Sequence, residues 1–284
     1  MYVPMGVLLE DAMEKGYAVP APDFIDFKMA RLLIDTAAAS RSPIILAYVD
    51  SFLELSELHS FKEVAEFIRY IANKVDIPVA LNLDHSKKME ELEKALKGGF
   101  TSVMFDGSEL LYEENVQHTR EAVKIARLYN ATVEGEIGHV GEASSYSVGD
   151  WRNMLTTKED AKKFVEDTNV DALAVAIGTA HGIYKGIPHL DFERLRGIRT
   201  SVEVPLVLHG CSGTGRDNLK KAITYGVQKI NIFTDIINAA KENLISNEKK
   251  LKEMNYFDID AEMKKAMKTK FEEYIEIAGS ANRY

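Results

Sequence analysis

Eight short apolar runs punctuate this chain, at residues 17–20, 43–48, 78–83, 102–105, 132–136, 172–177, 205–208 and 229–232. Amphipathic stretches of helical period fall between them, at 27–38, 61–74, 88–97, 113–129, 158–167, 192–199 and 217–225. Runs with little polar alternation suit strands buried on both faces, as in parallel sheets. Strand and helix alternating eight times predict an α/β fold, the (β/α)8 TIM barrel. The 284 residues are enough for one such barrel, which needs about 250, so residues 1–284 read as a single domain. A doubly wound open sheet usually carries a glycine fingerprint after its first strand; here that segment is Val19-Pro20-Ala21-Pro22-Asp23. Residues 5–15 predict an N-terminal helix capping the barrel bottom. Residues 234–284 predict a charge-rich C-terminal helical extension, packed on the barrel or on a second subunit. Residues 139–156 form the longest irregular stretch, and a loop of that length is expected to be functional or mobile.

A net charge of −9 argues against nucleic acid and anionic membrane as main partners. No run approaches the roughly 20 apolar residues of a membrane span. Cys211 is the only cysteine, which excludes an internal disulfide and leads us to expect a reducing cytoplasm.

In a parallel barrel the C-terminal ends of the strands surround one mouth, where ligands bind. Those ends here offer Asp23, Asp84 with His85, Asp106, Glu136, His181, His209 and Asn231. His59, His118 and His189 read as ordinary hydrogen-bonded side chains, and His139 lies undecided in the long loop. His85, His181 and His209 differ, because each sits just past an apolar run. Three neutral imidazoles suit Zn²⁺, with Co²⁺ or Fe²⁺ also compatible, and three protein ligands leave a coordination position for substrate. The segment His209-Gly210-Cys211-Ser212-Gly213-Thr214-Gly215 precedes a helix. Its glycines allow close backbone approach, and the helix start presents free N–H groups to an anion. Barrels often bind phosphate after strands seven and eight, where this loop lies.

Several motifs resemble those of the class II, zinc-dependent ketose-bisphosphate aldolases, the fructose- and tagatose-bisphosphate type. They include Leu83-Asp84-His85, Val133-Glu134-Gly135-Glu136-Ile137-Gly138, Ala176-Ile177-Gly178-Thr179-Ala180-His181-Gly182 with Tyr184, and the segments 102–108, 206–213 and 226–232. The resemblance runs from the N-terminal helix through Asp235. It implies reversible aldol cleavage of a ketose 1-phosphate or bisphosphate to dihydroxyacetone phosphate and an aldehyde. Zinc on His85, His181 and His209 would act on the C2 carbonyl and C3 hydroxyl. Asp84 would take the C4 hydroxyl proton, and Asn231 would contact the enediolate. Asp106 and Glu136 match groups that support the metal or offer it an alternate site. Gly182, Lys185, Gly210, Ser212 and Thr234 match the phosphate cradle, and Asp23 falls at the substrate. Carbonyls near Gly182 and Gly210 would hold a monovalent cation, Na⁺ or K⁺. Relatives are commonly oligomers, so a homodimer or homotetramer is expected.

The departures from the family pattern cluster at the mouth. Asp23 stands where asparagine is usual, and Asn82 stands for the histidine two before the catalytic aspartate. Val49 replaces a serine or threonine after strand two, and Phe233 replaces a small or polar residue. The loop carboxylate credited with moving the proton on the dihydroxyacetone-phosphate carbon is shifted along the loop to Glu142. Three readings follow: an aldolase for another ketose 1-phosphate with a rebuilt aldehyde side, a bisphosphate aldolase with altered support residues, or a metal- and sugar-phosphate-binding homologue with little turnover. Asp84 favours catalysis, because a binding protein needs the histidines but not that base. The shifted loop carboxylate favours the last.

Overall fold

The computed structural model describes residues 1–55, 58–141 and 155–284, so Glu142 lies outside the described residues. The elements run α1 (Met5–Lys15), β1 (Val19–Pro22), α2 (Phe27–Ala39), β2 (Ile44–Val49), α3 (Phe52–Leu55), α4 (Phe61–Ala72) and β3 (Val79–Ser86). They continue with α5 (Met89–Gly98), β4 (Ser102–Phe105), α6 (Tyr112–Arg127), β5 (Thr132–Ile137), α7 (Lys158–Thr168), β6 (Ala172–Val175), α8 (Phe192–Arg199) and β7 (Leu206–Leu208). The last are α9 (Arg216–Thr224), β8 (Val227–Ile232), α10 (Thr234–Ser246), α11 (Glu248–Leu251) and α12 (Tyr256–Ala278). All eight strands are parallel and pair in sequence order from β2 to β8, with β1 beside β8. The remaining seam is drawn together by a bridge between Asp23 and Ala47, where the Phe24 N–H donates to the Ala47 carbonyl at 3.2 Å. The architecture is a (β/α)8 barrel.

Alternate residues of each strand point into the barrel, and their character changes along its axis. Val19, Ala21, Ile45, Ala80, Met104, Ala172, Ala174 and Val207 form one buried apolar cluster with Met5, Leu8, Leu9 and Ala12 of α1. The first N–H groups of a helix have no intrahelical acceptor. In α1, Met5 donates to Ser102 Oγ at 2.9 Å and Gly6 to Thr132 Oγ1 at 2.8 Å. Burial and capping together seat α1 as the plug of the lower end. Further along the same strand faces the interior turns polar, with Asn82, Asp84, Asp106, Glu134, Glu136, His209, Lys229 and Asn231 all buried.

Some boundaries differ from the sequence reading, for local reasons. β1 begins at Val19, not 17, because Gly16 adopts φ +68° and the Tyr17 N–H turns back to Ala12 O, ending α1. The Ala18 N–H then donates to Ala278 O at the end of α12. β6 stops at Val175, since the N–H and C=O of Ala176 pair with Thr156 instead. β7 starts after Pro205, which has no N–H to donate to a ladder. The C-terminal extension packs by Phe271, Tyr274 and Ile275 of α12, all in the main core. No described helix is long and apolar enough to cross a membrane.

Candidate active site

Leu83 pairs with Val103 and Ser86 with Phe105. Three steps on β3 therefore match two on β4, which is a β-bulge holding one extra residue. Within it His85 has φ +49°, a left-handed conformation rare outside glycine that costs of order 1–3 kcal/mol. In a regular strand Asp84 and His85 would face opposite ways. The bulge turns both toward the mouth, where they line one pocket of about 270 Å³ with His181 and His209.

The three imidazoles converge. Each of His85, His181 and His209 offers a ring nitrogen, and these atoms lie within 4.8 Å of one another. His85 Nδ1 is 2.9 Å from Asp106 Oδ2, and His209 Nε2 is 2.7 Å from Glu134 Oε1. Carboxylates accept, so those nitrogens donate, leaving His85 Nε2 and His209 Nδ1 for another partner. His209 Nδ1 and His181 Nε2 are buried with no hydrogen-bond partner. Unpartnered imidazole nitrogens backed by carboxylates are what a transition-metal site requires, so the residues present fit a divalent metal. Asp106 and Glu136 also group with His85 within 4.8 Å. Glu136 accepts from the Val140 N–H at 3.1 Å and keeps a buried, unpartnered Oε2.

Below this ring lies a buried charge network that the sequence reading did not assign. Lys229 Nζ is 2.6 Å from Glu134 Oε2 and 3.7 Å from Asp84 Oδ1, and Lys229 and Glu134 are fully buried. Asp84 accepts from Asn82 Nδ2 at 3.0 Å through Oδ1 and from Asn231 Nδ2 at 2.8 Å through Oδ2. The two amides fix the carboxylate's orientation, and Asn231 Oδ1 is left buried and unpartnered. Lys229→Met would strand Glu134 without its cation. We expect a loss of about 3–5 kcal/mol in denaturant unfolding; a loss below about 1 kcal/mol, the range of exposed pairs, would contradict this role.

Electrostatics sort the groups. Burial lowers His181, aided by the charge on His85, to about 4. Burial and His85 likewise hold His209 well below its ordinary value. Burial opposes charge on His85 too, but Asp84, the Asp106 hydrogen bond and Glu136 outweigh it and raise His85 to about 10. Two of the imidazoles thus favour the neutral form near pH 7, and His85 would have to surrender a proton to ligate a metal. Burial raises Asp23 to about 8, with Asp84 adding to the shift, and burial with Asp106 does the same for Glu136.

The glycine loops close the other side of the pocket. Gly210 has φ +66°, and a Cβ there would sit 2.3 Å from Ala180 O, so no other residue fits. Tyr184 Oη accepts from the Ala180 N–H at 2.5 Å and donates to Gly210 O at 2.9 Å. It therefore ties the β6 loop to the β7 loop. Gly210 O also accepts from Thr214 Oγ1 at 3.1 Å, so this carbonyl holds two hydrogen bonds. Ser212 Oγ accepts from the N–H groups of Phe233 and Asp235 at 3.3 and 3.1 Å, which leaves its own proton to donate. Gly182, Gly210, Ser212, Asn231, Thr234 and Asp23 all line the pocket, whereas Lys185 is exposed and does not. His139 Nδ1 lies 2.9 Å from Ser108 Oγ, which donates to Asp106 Oδ1 at 2.7 Å. The ring thus belongs to the support around Asp106.

Known structures carry the same fold. The YdjI aldolase of Escherichia coli K12 superposes with a TM-score of 0.87 at 32% identity, covering 100% of this chain and 99% of that one. The fructose-bisphosphate aldolase (Fba) of Campylobacter jejuni gives 0.82 at 20% identity, covering 100% and 97%, a likeness of fold alone. Residues 3–283 match the family described as fructose-bisphosphate aldolase class-II. A barrel whose mouth gathers three metal-ready histidines and an oriented aspartate, matched over nearly its whole length, belongs to the class II fructose-bisphosphate aldolase family.

Proposed function

We propose that this protein is a metal-dependent aldolase that reversibly cleaves the C3–C4 bond of a ketose 1-phosphate or ketose bisphosphate, giving dihydroxyacetone phosphate and an aldehyde. The observation that carries this reading is Asp84, held by two amides beside three converging imidazoles, two of which keep a buried ring nitrogen without a partner. His85, His181 and His209 would hold the metal, with Zn²⁺ the best match to three nitrogen donors and Co²⁺ or Fe²⁺ compatible. When bound, the metal supplies Lewis acidity where negative charge develops on the ketose oxygens.

The chain's own residues account for the rest. Asp84 accepts the proton of the C4 hydroxyl as the C3–C4 bond breaks and the bonding electrons pass into the enediolate. Its paired amides keep Oδ1 and Oδ2 in place, and Lys229 offsets the two buried carboxylates beneath. The unpartnered Asn231 Oδ1 can accept from an enediol hydroxyl. The C1 phosphate suits the arc of Gly182, Gly210, Ser212 and Thr234, where the Ser212 hydroxyl and the Thr234 N–H at the start of α10 serve as donors. Proton return to C3 regenerates dihydroxyacetone phosphate, and Glu142 is the loop carboxylate suited to that transfer.

This reading predicts that metal-loaded protein exchanges one C3 hydrogen of dihydroxyacetone phosphate for solvent deuterium without any aldehyde, followed by NMR. Exchange unaffected by removing the metal with a chelator would contradict the metal's part in it.

A further inference from the structure

We propose that the β1–β2 arc of the mouth receives the aldehyde half of the substrate as an uncharged hydroxyaldehyde, and that Asp23, Phe52 and Phe233 set this preference. The inference rests on the aldolase reading above and deepens it.

Asp23 sits at the barrel seam. Its N–H donates to Ile232 O at 3.1 Å, and its backbone bridges to Ala47, so β8 and β2 clamp it from both sides. Its side chain lines the pocket, is only 8% exposed, and has an Oδ1 with no hydrogen-bond partner. A buried acceptor oxygen without a donor is costly unless something fills the site. A substrate hydroxyl is the simplest group that does.

The surfaces beside it are apolar. Val49, Phe52 and Phe233 line the same pocket, and the Phe52 and Phe233 rings meet at 5.6 Å between centroids. Among the described residues lining the pocket, none is Lys or Arg. The two arcs of the mouth therefore differ in what they offer. On the β6–β8 side, glycine loops, a serine hydroxyl and a helix start suit a phosphate. On the β1–β2 side stand a carboxyl, a valine and the Phe52 ring, which the Phe233 ring meets from the end of β8. In either protonation state Asp23 brings no positive charge, and Asp84 lies on the neighbouring side of the same pocket. Among the described lining residues a second phosphate there would meet no cation to offset its charge. A neutral chain would give its hydroxyl to Asp23 and rest its carbon end on the rings. A site built to hydrogen-bond a substrate hydroxyl also rejects analogues that lack it.

The test runs the condensation with the metal-loaded full chain. Dihydroxyacetone phosphate is combined with glyceraldehyde, lactaldehyde, propanal or glyceraldehyde 3-phosphate, and kcat/KM is measured for each aldehyde. Glyceraldehyde and lactaldehyde should exceed glyceraldehyde 3-phosphate at least tenfold. Propanal, lacking the hydroxyl for Asp23, should fall about tenfold below lactaldehyde. Asp23→Asn supplies a donor and should narrow the gap to glyceraldehyde 3-phosphate about tenfold, mainly through KM. Phe233→Ala should weaken lactaldehyde more than glyceraldehyde. A preference for glyceraldehyde 3-phosphate in the unaltered protein would overturn the proposal and leave the aldolase reading intact. The proposal also falls if both variants fold and neither shifts these ratios of kcat/KM. If no aldehyde reacts while dihydroxyacetone phosphate still exchanges deuterium, the proposal fails alone; if exchange is absent too, the aldolase reading fails with it.

Discussion

Asp84→Ala is expected to keep its metal and lose cleavage, by roughly 10²- to 10⁴-fold in kcat, the usual worth of a positioned proton acceptor. Asp84 is poised for that role by position and by company. The bulge in β3 turns it to the pocket beside His85, and Asn82 and Asn231 occupy one oxygen each. An oriented carboxylate next to the reacting hydroxyl lowers the barrier because little rearrangement is left to make in the transition state. Either variant strips Lys229 of one counter-charge, but Asp84→Asn keeps the side chain's shape while removing the base, so the pair separates lost packing from the lost base. Metal content per chain and kcat on the same preparation separate the outcomes. Metal retained with cleavage abolished fits the assignment; an undiminished rate removes Asp84 from it.

His209→Ala should have the opposite signature, with metal and activity lost together. The imidazole is fully buried, presents Nδ1 to the site and holds Glu134 through Nε2. Removing it leaves two ligands for the metal and takes a hydrogen-bond partner from a buried carboxylate, which costs about 1–3 kcal/mol in stability. Metal analysis after dialysis and a denaturant titration read the two effects separately. Full activity of this variant in metal-depleted buffer would contradict the three-histidine centre.

Much of this arrangement was legible in the residues, because the signal for a parallel barrel is periodic and its site lies at predictable places. A polar residue just past an apolar run marks a strand's open end, which is how His85, Asp106, His181 and His209 were placed at the mouth, whereas Asn231 falls inside the last run. Glu134 and Lys229 were not, although they sit two residues before Glu136 and Asn231 on the same strand faces. Reading strands as apolar runs hides a charge in mid-strand. The useful signal was the spacing itself, Glu134-x-Glu136 and Lys229-x-Asn231, since a charged residue inside a central strand faces inward and needs a partner. The bulge at His85 was hidden for another reason: register belongs to two strands at once, and neither strand's sequence announces an extra residue. Motif matching fixes a position in the chain but not the direction of a side chain; Lys185 is exposed and is not among the residues lining the pocket. Tyr184, noted only as the motif's last residue, turns out to join the β6 and β7 loops beside the pocket.

The most direct measurement is release of dihydroxyacetone phosphate from a panel of ketose 1-phosphates and ketose bisphosphates, before chelation, after it, and after zinc is restored. The account predicts release that a chelator stops and zinc revives. Metal-loaded, folded protein that releases none from any substrate, or release indifferent to the chelator, would contradict it.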